Sequence, residues 1–172
     1  MVAGWQLAQM NIATLVADAG DLAVQPFFDA LAEVNLLAEA SPGFVRRLKD
    51  EASDNATSIA VTADPRLIVN MSVWESADTL FDFVYRSAHT PIMARRRQFF
   101  VKPADNQTYQ VLWWVPAGNA PAISDGLARL WHLDRFGPTP LAFTFKRRFA
   151  APDQTVPAGG TEQGRLAEDA GV

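Results

Sequence analysis

A chain of 172 residues with 49% hydrophobic residues is long and apolar enough to bury one core, and its net charge of −4 argues against an electrostatic surface for nucleic acid or anionic lipid. Zero cysteines exclude a disulfide framework, thiolate metal sites and a Cys nucleophile, and two histidines leave little room for a His-rich metal centre. No apolar run approaches the roughly 20 residues that span a bilayer, and the first residues carry no basic leader, so a cytoplasmic protein with neither membrane nor nucleic-acid partners is expected.

Trp5 to Thr14 alternates as a strand, with Ala8, Met10 and Ile12 on one face and Leu7 and Asn11 on the other. From Val24 to Ala40 the period turns helical. At 100° per residue Val24, Phe28, Leu31 and Ala38 fall within about 60° of one direction, with Phe27 and Val34 beside them. Pro26 fits the first turn, and Ser41-Pro42-Gly43 stops the helix. Gly43 to Asp50 reads as a second strand, and Thr57 to Thr62 as a short β-prone stretch. Leu67 to Trp74 is a stronger strand, with Leu67, Val69, Met71 and Val73 on one face and Ile68, Asn70, Ser72 and Trp74 on the other, both faces expected to be covered.

Ser76 is placed to cap a helix to Ser87, and Thr90-Pro91 restarts one toward Phe100. Tyr109 to Pro116 reads as a strand, Ser124 as the cap of a helix to Arg135, and Leu141 to Phe149 as a last strand. From residue 150 the chain holds breakers, no aromatic residue and no periodicity. Residues 1–149 are therefore expected to form one domain and 150–172 a flexible tail.

This order predicts an α+β fold: a ferredoxin-like antiparallel sheet with helices on one face. Trp74, Trp113, Trp114, Phe143 and Phe145 are too many large apolar groups for a solvated sheet face, so a second copy packed against it, closing a dimeric α/β barrel around an internal cavity, is expected.

Two runs, Asn70 to Asp78 (NMSVWESAD) and Phe83 to His89 (FVYRSAH), are similar to those of the dimeric α/β-barrel proteins, whose third strand ends in an aromatic residue and an acidic-Ser turn. Val34 to Phe44, Tyr85 to His89, Leu112 to Gly118 and Gly137 to Phe145 resemble the domain-of-unknown-function family 3291, over roughly residues 5–149. The wider superfamily includes antibiotic-biosynthesis monooxygenases, cyclases and haem-degrading enzymes. The resemblance implies a small-molecule pocket.

His89 is the sharpest candidate, since an imidazole with a pKa near 6.5 can act as base, acid or haem ligand. It sits at a helix break, where satisfying loose backbone carbonyls is the structural alternative. Asn35 falls within the stripe of the first helix, where a primary amide needs partners. Asn11 and Asn70, on neighbouring strands, can aim paired amides into one cavity, with ladder-edge hydrogen bonding as the structural alternative. Tyr85 offers a phenol to a developing oxyanion. Arg46 or Arg86 can clamp a carboxylate or enolate through a planar pair of donors, though surface ion pairing is the ordinary use of such a cluster. Trp74 and Trp114 suit a flat ligand.

No glycine-rich phosphate loop, nucleophile elbow or metal-ligand spacing is present. The leading expectation is a cofactor-independent small-molecule enzyme that abstracts a proton from an apolar or polycyclic metabolite, leading to oxygenation, isomerisation or cyclisation. His89 would move the proton, Tyr85 and Asn70 would assist, and Asn11, Asn35, Arg46, Trp74, Arg86 and Trp114 would bind substrate. The alternatives are a haem protein with His89 as axial ligand and a non-catalytic binding or dimerisation module.

Overall fold

The computed structural model describes residues 4–50, 54, 56–57, 59–86 and 95–152. Four strands, β1 (Trp5–Thr14), β2 (Phe44–Arg47), β3 (Leu67–Trp74) and β4 (Gln110–Pro116), form one antiparallel sheet in the order β2-β3-β1-β4. Helix α1 (Gln25–Glu39) joins β1 to β2, α2 (Ala77–Arg86) lies between β3 and β4, and α3 (Ile123–Phe136) follows β4. This is the expected ferredoxin-like α+β arrangement.

Register sorts the side chains. Leu7 lies opposite Trp74 and Trp114, Gln9 opposite Ser72 and Leu112, and Asn11 opposite Asn70 and Gln110. Directly opposed residues share a side of the sheet. One face therefore presents Leu7, Gln9, Asn11, Asn70, Ser72 and Trp74, and the other presents Ala8, Met10, Val69, Met71, Val73 and Trp113.

Helices α1 and α2 cover the first face, where Trp74 packs on Phe83 and where Phe27, Leu31 and Val34 look onto Gln9 and Asn11. The third helix departs from the one-sided arrangement. Leu130 and Leu133 of α3 pack with Ala8, Met10, Val111 and Trp113 on the second face. Gly126 permits this approach, because a Cβ there would fall on the Met10 Sδ.

The aromatic cluster is also placed differently from expectation. Trp113 and Trp114 are consecutive in a strand, so their rings go to opposite faces. Trp74, Trp113 and Phe143 are each at most 2% exposed within a single chain, so these side chains do not call for a second copy to cover them.

The expected strand over Leu141 to Phe149 is absent as a continuous element. Thr139 bridges Ala142, Thr144 bridges Arg147, and only Phe143 pairs with β4, through Leu112. Threonine hydroxyls make these turns, accepting from the amides of Leu141 and Arg147, both at 3.3 Å. The segment crosses the edge of β4, with Ala142 in the core beneath α3 and Phe143 in the core beneath α2.

Other boundaries shift in smaller ways. β2 ends at Arg47 rather than Asp50, and no strand forms among the described residues of 57–62. Ser76 caps α2 as expected, its Oγ accepting from the Thr79 amide at 3.2 Å. Ser124 does not cap α3; the Asp125 carboxylate reaches back to the Ala122 amide at 2.8 Å instead. Of the expected helix toward Phe100, a single 3-10 turn at Arg96–Gln98 is described, and residues 87–94 and 153–172 lie outside the described residues.

Candidate functional site

A cavity of about 200 Å³ lies between the first sheet face and helices α1 and α2. Its position follows from side-chain size. The strands present small or polar groups, Gln9, Asn11, Ala13, Asn70 and Ser72, where a close-packed core would place Leu or Ile. The helices contribute Phe27, Leu31, Val34, Asn35 and Ala38 from α1 and Leu80, Phe83 and Val84 from α2. Phe44 and Trp74 close one end, their rings edge to face at 5.4 Å, and Phe83 stacks on Trp74 at 5.1 Å.

The polar groups form two layers. Deep in the cavity the Ser72 Oγ accepts from the Trp74 indole at 2.9 Å and from the Gln9 amide at 3.2 Å. Nearer solvent, Asn70 donates to the Asn11 Oδ1 at 3.3 Å. Asn35 has no hydrogen-bond partner among the described residues, and Tyr109 and Gln110 complete the rim.

Arg47 is the one cation among the described lining residues, and all three nitrogens of its guanidinium donate within the protein. It donates to Glu39 Oε1 at 2.8 Å, to the Asp54 carbonyl at 2.6 Å and to Asp54 Oδ2 at 3.0 Å. Lys49 adds a bond to Asp54 Oδ1 at 2.8 Å. The Lys49 bond, followed by that from Arg47, holds the Asp54 carboxyl below its usual range. A depressed native pKa contributes stability above the unfolded value, near 3.9, that is lost as pH falls through the native value. Asp54 has φ +52°, which asparagine also tolerates, so Asp54→Asn is expected to flatten the acid limb of a thermal-melt profile below about pH 4 while leaving the fold intact.

The structure brings together four of the expected site residues: Asn11, Asn35, Asn70 and Trp74. Four others lie elsewhere. A bulge between Phe44 and Arg46 inverts the alternation of β2, so Arg46 points to the opposite face and Arg47 takes the cavity side. Tyr85 is half exposed on the far side of α2, packed on Phe81 and Phe145. Arg86 is exposed and paired with Asp82 at 2.8 Å. Trp114 shares the sheet face but is covered by Phe143, and it donates to the Phe149 carbonyl at 2.9 Å. His89 lies outside the described residues.

Sequence reasoning missed Gln9, Arg47, Tyr109 and Gln110 and did not single out Ser72. The signal for Gln9 and Ser72 was their parity, each two positions from an Asn already chosen.

A ferredoxin-like antiparallel sheet with an amide-lined, aromatic-walled cavity beneath two helices defines an α+β domain. The chain belongs to the family described as Domain of unknown function (DUF3291), whose model matches residues 6–159. No curated protein matches it. Among solved structures it is similar to SnoaB, a cofactor-independent oxygenase from Streptomyces nogalater, with 17% identity, 67% of this chain and 95% of that chain covered, and a TM-score of 0.40. A protein of unknown function from Nitrosomonas europaea shares 14% identity over 69% of this chain and 94% of that one, with a TM-score of 0.43. A putative antibiotic biosynthesis monooxygenase from Chloroflexus aurantiacus shares 12% identity over 69% and 98%, with a TM-score of 0.38. Among the described residues, no helix is long and apolar enough to cross a membrane and no cluster of His, Cys, Asp or Glu is set to hold a metal ion.

Proposed function

We propose that the protein is a cofactor-independent enzyme of small-molecule metabolism that binds a largely apolar carbonyl compound in this cavity and removes a proton from the adjacent carbon. The observation that carries the reading is the pairing of Asn11 with Asn70 beside a wall of Trp74, Phe83 and Phe27. Rings pack on the aromatic wall, and amide N–H groups meet the carbonyl oxygen as the electron pair of the broken C–H bond moves onto it. The described lining residues include no carboxylate and no imidazole. The proton acceptor in this reading is therefore His89, three residues beyond the end of α2.

Volume narrows the substrate. At about 200 Å³ the cavity is smaller than the 300–1,000 Å³ of pockets for drug-sized ligands, so it suits one or two rings rather than a polycycle. The reading without haem is supported by the small volume of the cavity and by the pairing of its lining cation with Glu39 and Asp54.

The test is hydrogen–deuterium exchange at the α-carbon of 2-tetralone, 1-tetralone and 1-indanone in D2O, followed by NMR. The protein is expected to accelerate exchange above buffer. His89→Ala should slow it by about 10²–10⁴-fold. Asn70 is exposed at the mouth, where a donor contributes about 1 kcal/mol, so Asn70→Ala should slow exchange about fivefold. Saturable binding of these ketones without any acceleration would leave a second reading, a ligand-binding module.

A further inference from the structure

We propose that Ser72 donates the hydrogen bond that selects a neutral carbonyl ligand in this cavity, an inference that rests on the ligand-binding reading above. A serine hydroxyl has two acceptor positions and one hydrogen. Both acceptor positions of Ser72 are taken, by the Trp74 indole at 2.9 Å and by the Gln9 amide at 3.2 Å. An indole nitrogen only donates, so that bond has a fixed direction. The hydroxyl hydrogen is what remains, and no described residue accepts it.

Ser72 is 9% exposed and lines the cavity. A buried donor without an acceptor is costly, and an oxygen on the ligand removes that cost. The donor is also held in place before the ligand arrives, because both neighbours that fix it are themselves buried: Gln9 at 4% and Trp74 at 1% exposed. With no free lining charge among the described residues, the oxygen that fits is uncharged, as in a ketone.

The experiment compares 2-tetralone with tetralin, the same two rings without the carbonyl, each titrated against the full chain by isothermal calorimetry. Ser72→Ala is expected to weaken 2-tetralone about fivefold, the equivalent of one hydrogen bond, while leaving tetralin unchanged. Ser72→Thr, which keeps the hydroxyl and suits a strand, should retain the ketone affinity. Should Ser72→Ala fail to fold, Ser72→Cys carries the comparison, since a thiol is a weak donor, and it should show the same selective loss. Equal weakening of both molecules, or no change in either, overturns the role of Ser72 while the cavity stands. If the native chain binds neither molecule, the cavity reading falls and the inference with it.

Discussion

Trp74→Ala is expected to destabilise the protein by about 3–5 kcal/mol, the cost of emptying a fully buried indole site that its neighbours cannot refill. Trp74 is 1% exposed and touches Phe44, Phe83 and the Ser72 hydroxyl from three different elements, β2, α2 and β3. Collapse into the vacated space is blocked on one side, because the space adjoins a cavity that is already there. Trp74→Phe keeps most of the ring contact and removes the N–H, so it should cost about 1–2 kcal/mol. Trp131→Ala supplies the control, since Trp131 is 59% exposed and should change stability by about 0.5 kcal/mol. Denaturant unfolding measures all three. A Trp74→Ala cost no larger than that of Trp131→Ala would show that the wall at Trp74 does not hold β2, β3 and α2 together.

Most of the framework was legible because one physical signal decided each element. β1, β3 and α1 carry clean periods of two or 3.6, and the structure places them within two residues of expectation. The strand read into Leu141 to Phe149 shows where that signal misleads. Leu141, Phe143 and Phe145 alternate, but Pro138, Pro140 and two threonine turns prevent ladder pairing. The site was half legible for a related reason. Asn11, Asn70 and Trp74 follow strand parity, whereas Arg46 was chosen for its guanidinium alone and sits in a strand whose bulge reverses the alternation, a local kink without a sequence mark. Trp114 satisfies parity and still misses the cavity, because Phe143 arrives from a segment about thirty residues later to cover it.

Gly43→Ala is expected to cost about 2–4 kcal/mol, and to do so through two separable terms. Gly43 adopts φ +76°, a conformation that strains an L-residue by about 1–2 kcal/mol. A Cβ there would also lie 2.6 Å from the Thr79 Cβ, and Thr79 cannot swing aside cheaply because its amide and hydroxyl are tied to Ser76 at the start of α2. Gly20→Ala isolates the first term, since Gly20 has φ +95° and nothing within 4 Å of an added Cβ. The excess of Gly43→Ala over Gly20→Ala then measures the contact with Thr79. That contact bears on the site, because the Gly43 carbonyl accepts from the Glu75 amide at 2.7 Å and so fixes the turn into β2 against the end of β3. Pushing α2 away from Gly43 parts Phe44 from Trp74 and Phe83, so Gly43→Ala should also weaken 2-tetralone binding at temperatures where the chain remains folded, whereas Gly20→Ala should not. Equal costs for the two alanine variants, with ketone affinity unchanged in both, would mean that the turn yields without disturbing the cavity.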